Sequence, residues 1–109
     1  MTARHQTVVD QIHLLRTIEP MPIIVGVNSV ALAIIAGRYA DGVNVRLSSP
    51  KAATYLAAAV DAAAGKLFET SGWASVHDQA SQDKAHELQL DRLILSRLES
   101  LTETAELDR

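Results

Sequence analysis

Apolar residues recur at helical spacing over residues 2–19, where Val8, Ile12 and Leu15 fall on one stripe with His5 and Ile18 at its edges. Pro20 disfavours helical geometry at Glu19, and Pro22 follows at once, so this helix stops there. The period then changes. Pro22-Ile23-Ile24-Val25-Gly26 is a short, continuously apolar, β-branched run, the pattern of a strand buried on both faces. Asn28 and Ser29 offer a turn and an N-cap, because either side-chain oxygen can accept from exposed first-turn amides. A helix follows over residues 30–40, with Leu32, Ile35 and Tyr39 apolar and Ala33, Ala36, Gly37 and Ala40 small.

Asp41-Gly42 reads as a sharp turn, and residues 43–47 as a second strand. Ser48-Ser49-Pro50 restarts a helix, with Ser49 as cap and Pro50 at the first helical position, running to about Ala64 before Gly65 stops it. Strand, helix, strand and helix joined by short turns predict a βαβα unit with parallel strands. In the last third, Phe68 to Val76 reads as extended. Asp78 or Ser81 then caps a long helix predicted to reach about Thr102. Its apolar set, from Leu88 through Leu93, Ile94, Leu95 and Leu98 to Leu101, covers more than the 100° of an ordinary amphipathic stripe. There is no internal repeat and no low-complexity linker, so residues 1–109 read as one domain.

Composition narrows the chemistry. The chain has 109 residues, 48% hydrophobic and 21% charged, which predicts a folded rather than a disordered chain. Seventeen Ala and thirteen Leu must build most of the core, because there are only four aromatic residues. A net charge of −3 lacks the basic footprint of a nucleic-acid binder. With no cysteine, disulfides, thiolate metal sites and cysteine nucleophiles are excluded. No apolar run approaches the roughly 18 residues of a membrane span, and no signal-peptide core is present, so the expected setting is the cytoplasm.

The central segment resembles a known family. Residues 22–29 followed by Ala36-Gly37-Arg38-Tyr39-Ala40-Asp41-Gly42-Val43-Asn44 look like the seventh strand, seventh helix and eighth strand of luciferase-like oxidoreductases. The likeness covers residues 20–64 best. It extends more loosely to Leu101, where Thr70-Ser71-Gly72-Trp73 and the Leu-rich segment are similar to the family's C-terminal end. One departure is Val27, where the family often carries a second small residue.

The resemblance implies the last two strands of a (β/α)8 TIM-type barrel with a long C-terminal helix. It also implies FMN or the deazaflavin F420 as cofactor, and monooxygenation or hydride transfer as the chemistry. A whole barrel needs about 250 residues, and the family's catalytic residues lie on earlier strands. The expectation is therefore a non-catalytic portion of such an enzyme, with no catalytic residue of its own.

Within it, Gly26, Asn28 and Ser29 are the candidate cofactor-binding residues, because ligands sit at the carboxyl ends of parallel strands and helix N-termini attract anions. Arg46 joins them as a phosphate or carboxylate partner. The plain alternative is a turn glycine, ordinary caps and a solvated arginine. Asp41 belongs to the opposite, structural end, and Trp73 is a packing anchor with a lesser claim to line a cavity. The four histidines show no metal spacing, and neither a nucleophile elbow nor a phosphate-binding glycine loop occurs. A second reading is a non-catalytic α/β module that forms homo-oligomers. Two isolated strands leave open edges, so self-association or a complementary barrel fragment is expected as partner.

Overall fold

The computed structural model describes residues 2–18 and 21–97. Its elements are α1 (Ala3–Ile18), β1 (Ile24–Gly26), α2 (Val30–Tyr39), β2 (Gly42–Arg46), α3 (Ala52–Ala63), β3 (Glu69–Ser75), α4 (Gln79–Glu87) and β4 (Arg92–Ser96). The four strands form one sheet in the order β1-β2-β3-β4, and every neighbouring pair is parallel. The expected βαβα unit is present, with Val25 opposite Val43 across its two strands. The extended segment in the last third is the third strand.

The long C-terminal helix is not what forms. Helix α4 ends at Glu87, and Leu93, Ile94 and Leu95 lie in β4; the expected continuation over residues 98–102 falls outside the described residues. The reason is local. Leu93-Ile94-Leu95 is a short unbroken apolar run like Ile23-Ile24-Val25, suited to a sheet. Gln89 takes a left-handed conformation (φ 53°), which closes the helix at its C-terminal side. The resemblance made residues 43–47 the last strand of a barrel, and that placement is corrected too, since two more parallel strands follow.

Strand alternation sorts the sheet into two unlike faces. Val25, Val43, Val45, Leu47 and Ala74 lie on one face and share a core with Ala33 and Ala36 of α2, Ala52, Leu56 and Ala59 of α3, and Ala85 of α4. Helix α1 packs beside α2 through Val9 and Ile12, against Ile35 and Ala40. All four helices thus cover the same face, as right-handed crossovers between successive neighbouring strands require. Leu47, Val43 and Val45 are fully enclosed there, each burial worth about 1.5–3 kcal/mol.

Small residues set the helix spacing. A Cβ at Gly37 would overlap the Ala59 carbonyl oxygen and lie 2.7 Å from the Ala62 Cβ, so glycine is what lets α2 touch α3 backbone to backbone. The stripe expected on α1 is rotated: Val9 and Ile12 are buried, while Leu15 is 51% exposed. Helix α3 starts two residues later than expected. Ser49 accepts a hydrogen bond from the Lys51 amide (3.2 Å), and the helix opens at Ala52.

The other face carries Ile24 and Gly26, then Asn44 and Arg46, then Ser71 and Trp73, then Ile94, as the register dictates. Among the described residues no helix or strand packs on it. No described helix is long and apolar enough to cross a membrane.

Candidate functional site

The amino ends of the strands are tied down. Asp41, just before β2, donates its amide to the Ile23 carbonyl (2.8 Å) and accepts the Ile23 amide on Oδ2 (2.8 Å). Asp91, just before β4, repeats the device on Thr70: its amide reaches the Thr70 carbonyl (2.9 Å), and its Oδ2 accepts the Thr70 amide (2.8 Å). Arg16 closes on Asp41 (3.1 Å) and on the Tyr39 carbonyl (2.8 Å), and Arg92 pairs with Glu69 (3.0 Å). Burial works to raise the Asp41 pKa, but the Ile23 amide and the Arg16 guanidinium outweigh it and hold the carboxyl below its ordinary value. A recess of about 990 Å³ opens here between Met21, Phe68 and Leu67. It is the larger hollow, yet the charged groups on its wall already satisfy one another.

The carboxyl ends differ. A cleft of about 520 Å³ lies over β1, β2 and β3, lined by Gly26, Asn28, Asn44, Arg46, Tyr55 and Trp73 together with Val27, Leu32 and Ser49. Three of the four expected residues, Gly26, Asn28 and Arg46, therefore come together. The fourth, Ser29, stands beside the cleft, and its hydroxyl oxygen is engaged as the N-cap of α2, accepting the Leu32 amide at 3.1 Å. A Cβ at Gly26 would meet nothing within 4 Å, so the chain's own packing does not demand a glycine there; the space above it is open.

Arg46 is exposed and, among the described residues, has no ion-pair or side-chain hydrogen-bond partner. It stands directly opposite Trp73 across the β2–β3 ladder. Asn44 is held by the Ser71 hydroxyl, which donates to its Oδ1 (3.1 Å) and lies 3.1 Å from the Val43 carbonyl. Asn44, Tyr55 and Trp73 also line it, from β2, α3 and β3; of these the sequence points only to Trp73, as a lesser candidate to line a cavity.

The next turn along, β3 to α4, is closed on itself. Asp78 caps α4 by accepting the Ser81 amide (3.1 Å) and hydroxyl (2.6 Å), which hold its carboxyl below the ordinary value. Lys84 donates to the Leu47 carbonyl (2.8 Å). The open ground is confined to β1–β3.

Comparison of the chain with protein-family models, curated proteins and solved structures returns no match. What the cleft can hold therefore follows from its own chemistry. A guanidinium offers bidentate hydrogen bonds to phosphate or carboxylate. An indole and a phenol offer flat apolar surface. Two amides read hydrogen-bonding edges. Among the described residues, the groups that line the cleft are one guanidinium, two amides, two hydroxyl-bearing side chains, an indole and apolar carbon. Among the described residues, no group of three or more His, Asp or Glu side chains is placed to hold a metal ion.

Proposed function

We propose that this chain is a four-strand segment of a luciferase-like (β/α)8 barrel and that its carboxyl-end cleft holds part of an anionic, planar cofactor, FMN or F420. The observation that carries the reading is the unengaged Arg46 facing Trp73 over an open glycine floor at the carboxyl ends of parallel strands. Four successive parallel strands with all helices on one face are the arrangement of half such a barrel. The residues fit the group: Arg46 meets an anionic arm, Trp73 and Tyr55 flank a flat ring, Asn28 and Asn44 meet polar ring edges, and Gly26 leaves room. The bound cofactor would supply hydride transfer or oxygenation. The chain's own residues bind and orient it.

Trp73 is the only tryptophan, so its fluorescence reports directly on the cleft. Titration with FMN and with F420 is expected to quench it saturably, and Arg46→Ala to weaken the affinity about tenfold, equivalent to ~1.4 kcal/mol. Absence of saturable quenching by either cofactor at millimolar concentration overturns the assignment. Turnover by the isolated chain with reduced FMN or F420 is expected not to exceed that of the free cofactor.

A further inference from the structure

The two outer edges of the sheet fit each other. At one edge lies β1, whose Val25 packs against the cluster that Val9 and Ile12 of α1 form with α2. Helix α1 buries Val9 and Ile12, and its His13 ring meets Tyr39 of α2 edge-on at 5.7 Å. At 100° per residue, Leu15 and Ile18 lie about 60° and 120° around from Ile12 on the opposite flank from His13. They therefore face away from α2 and are 51% and 65% exposed. At the other edge lies β4. Leu93 packs into the core, while Leu95, two residues on and on the same face, is 50% exposed.

We propose that two copies of this chain join edge to edge, β4 of each beside β1 of the other, closing an eight-stranded parallel barrel. The pairing is parallel, as it is throughout the sheet. It places a Leu95 beneath the Leu15–Ile18 flank of the other copy's α1, so that exposed flank acquires a strand to cover. Closure removes both sheet edges at once and turns the uncovered face into the barrel interior. Leu15, Ile18, Ile24, Ile94 and Leu95 are between 38% and 65% exposed, on the order of 430 Å² of accessible surface per copy. In two copies these side chains supply roughly 860 Å² of the ~1,200 Å² at which stable interfaces begin, and the paired backbone edges of β1 and β4 add to it. A second copy is the occupant because this one chain carries both halves of the seam. The inference rests on the half-barrel reading above, and it adds that the other half is the same chain.

Sedimentation at tens of micromolar is expected to give twice the 11.8 kDa chain mass. Leu15→Cys and Leu95→Cys chains, mixed, unfolded together and refolded, are expected to be joined by a short bismaleimide. Neither variant alone is, because in a dimer of one variant the two equivalent cysteines lie in different seams; the chain has no cysteine of its own. Ile18→Lys with Leu95→Lys is expected to sediment as monomer, with circular dichroism reporting whether it stays folded. A wild-type monomer, an open-ended assembly, or a dimer without the mixed cross-link overturns the seam. The Trp73 titration on the same samples is read separately. A monomer that binds flavin refutes the seam and leaves the cleft standing, whereas a cross-linked dimer that binds none does the reverse.

Discussion

Both ends of one sheet carry arginine and put it to opposite use. At the amino ends, Arg16 and Arg92 each close on a carboxylate, and Asp41 and Asp91 each clamp the strand before their own. At the carboxyl ends, Arg46 faces Trp73 across a cleft that, among the described residues, has no carboxylate on its wall. Polar groups that satisfy one another hold a fold together. Polar groups left aimed at open space are the ones a ligand can use, since a bound anion supplies the hydrogen bonds the protein does not. On the proposed reading, the difference separates stability from binding along the axis of the strands.

The comparison is broken most forcefully at its structural end. Asp41→Ala removes the Arg16 pair and the acceptor for the Ile23 amide, and is expected to cost about 1–2 kcal/mol. At about 4–8 °C per kcal/mol for a chain near this size, a thermal melt would show it clearly. Asp91→Ala removes the matching acceptor for Thr70 at a more exposed site, and about 0.5–1 kcal/mol is expected from urea unfolding. Equal losses at the two aspartates would show that the Arg16 pair adds nothing.

Acid tests the same clamp without mutation. The Asp41 carboxyl is held below its unfolded value of about 3.8, so its contribution is fully present above that pH and is lost as the pH falls through the lower folded value. Unfolding followed from pH 6 to 2 should show stability dropping below about pH 4, and by less in Asp41→Ala.

The smallest effect belongs to the open end. Gly26→Ala meets no neighbour, and stability is expected to hold or to rise by up to ~1 kcal/mol through the unfolded chain. The added methyl group enters the cleft, so the flavin affinity read from Trp73 should fall. Unchanged affinity would remove Gly26 from the cleft floor.

The first half of the fold was readable because its signals are punctuated: Pro20 and Pro22 before β1, Ser29 before α2, Asp41-Gly42 before β2, Gly65 after α3. The α4–β4 boundary carries no glycine or proline. Leu88-Gln89-Leu90 sustains a helical wheel, and a non-glycine residue takes the left-handed turn. The missed signal was Asp91, which stands before Leu93-Ile94-Leu95 much as Asp41 stands before Val43-Asn44-Val45. For the cleft, strand ends pointed to Gly26, Asn28 and Arg46. Trp73 reads first as a packing anchor and only second as a cavity residue, and Asn44 is missed, because their place depends on which residue of one strand lies opposite which of the next, and that register is set by tertiary pairing.

The separation of the two ends is tested most directly by measuring flavin affinity and melting temperature together on Arg46→Ala and Asp41→Ala. The expected result is a crossed pair: Arg46→Ala loses about tenfold in affinity and melts with the wild type, while Asp41→Ala melts several degrees lower and, below its transition, binds as the wild type does. Arg46→Ala binding like the wild type, or both variants losing affinity in proportion to their loss of stability, would contradict the account.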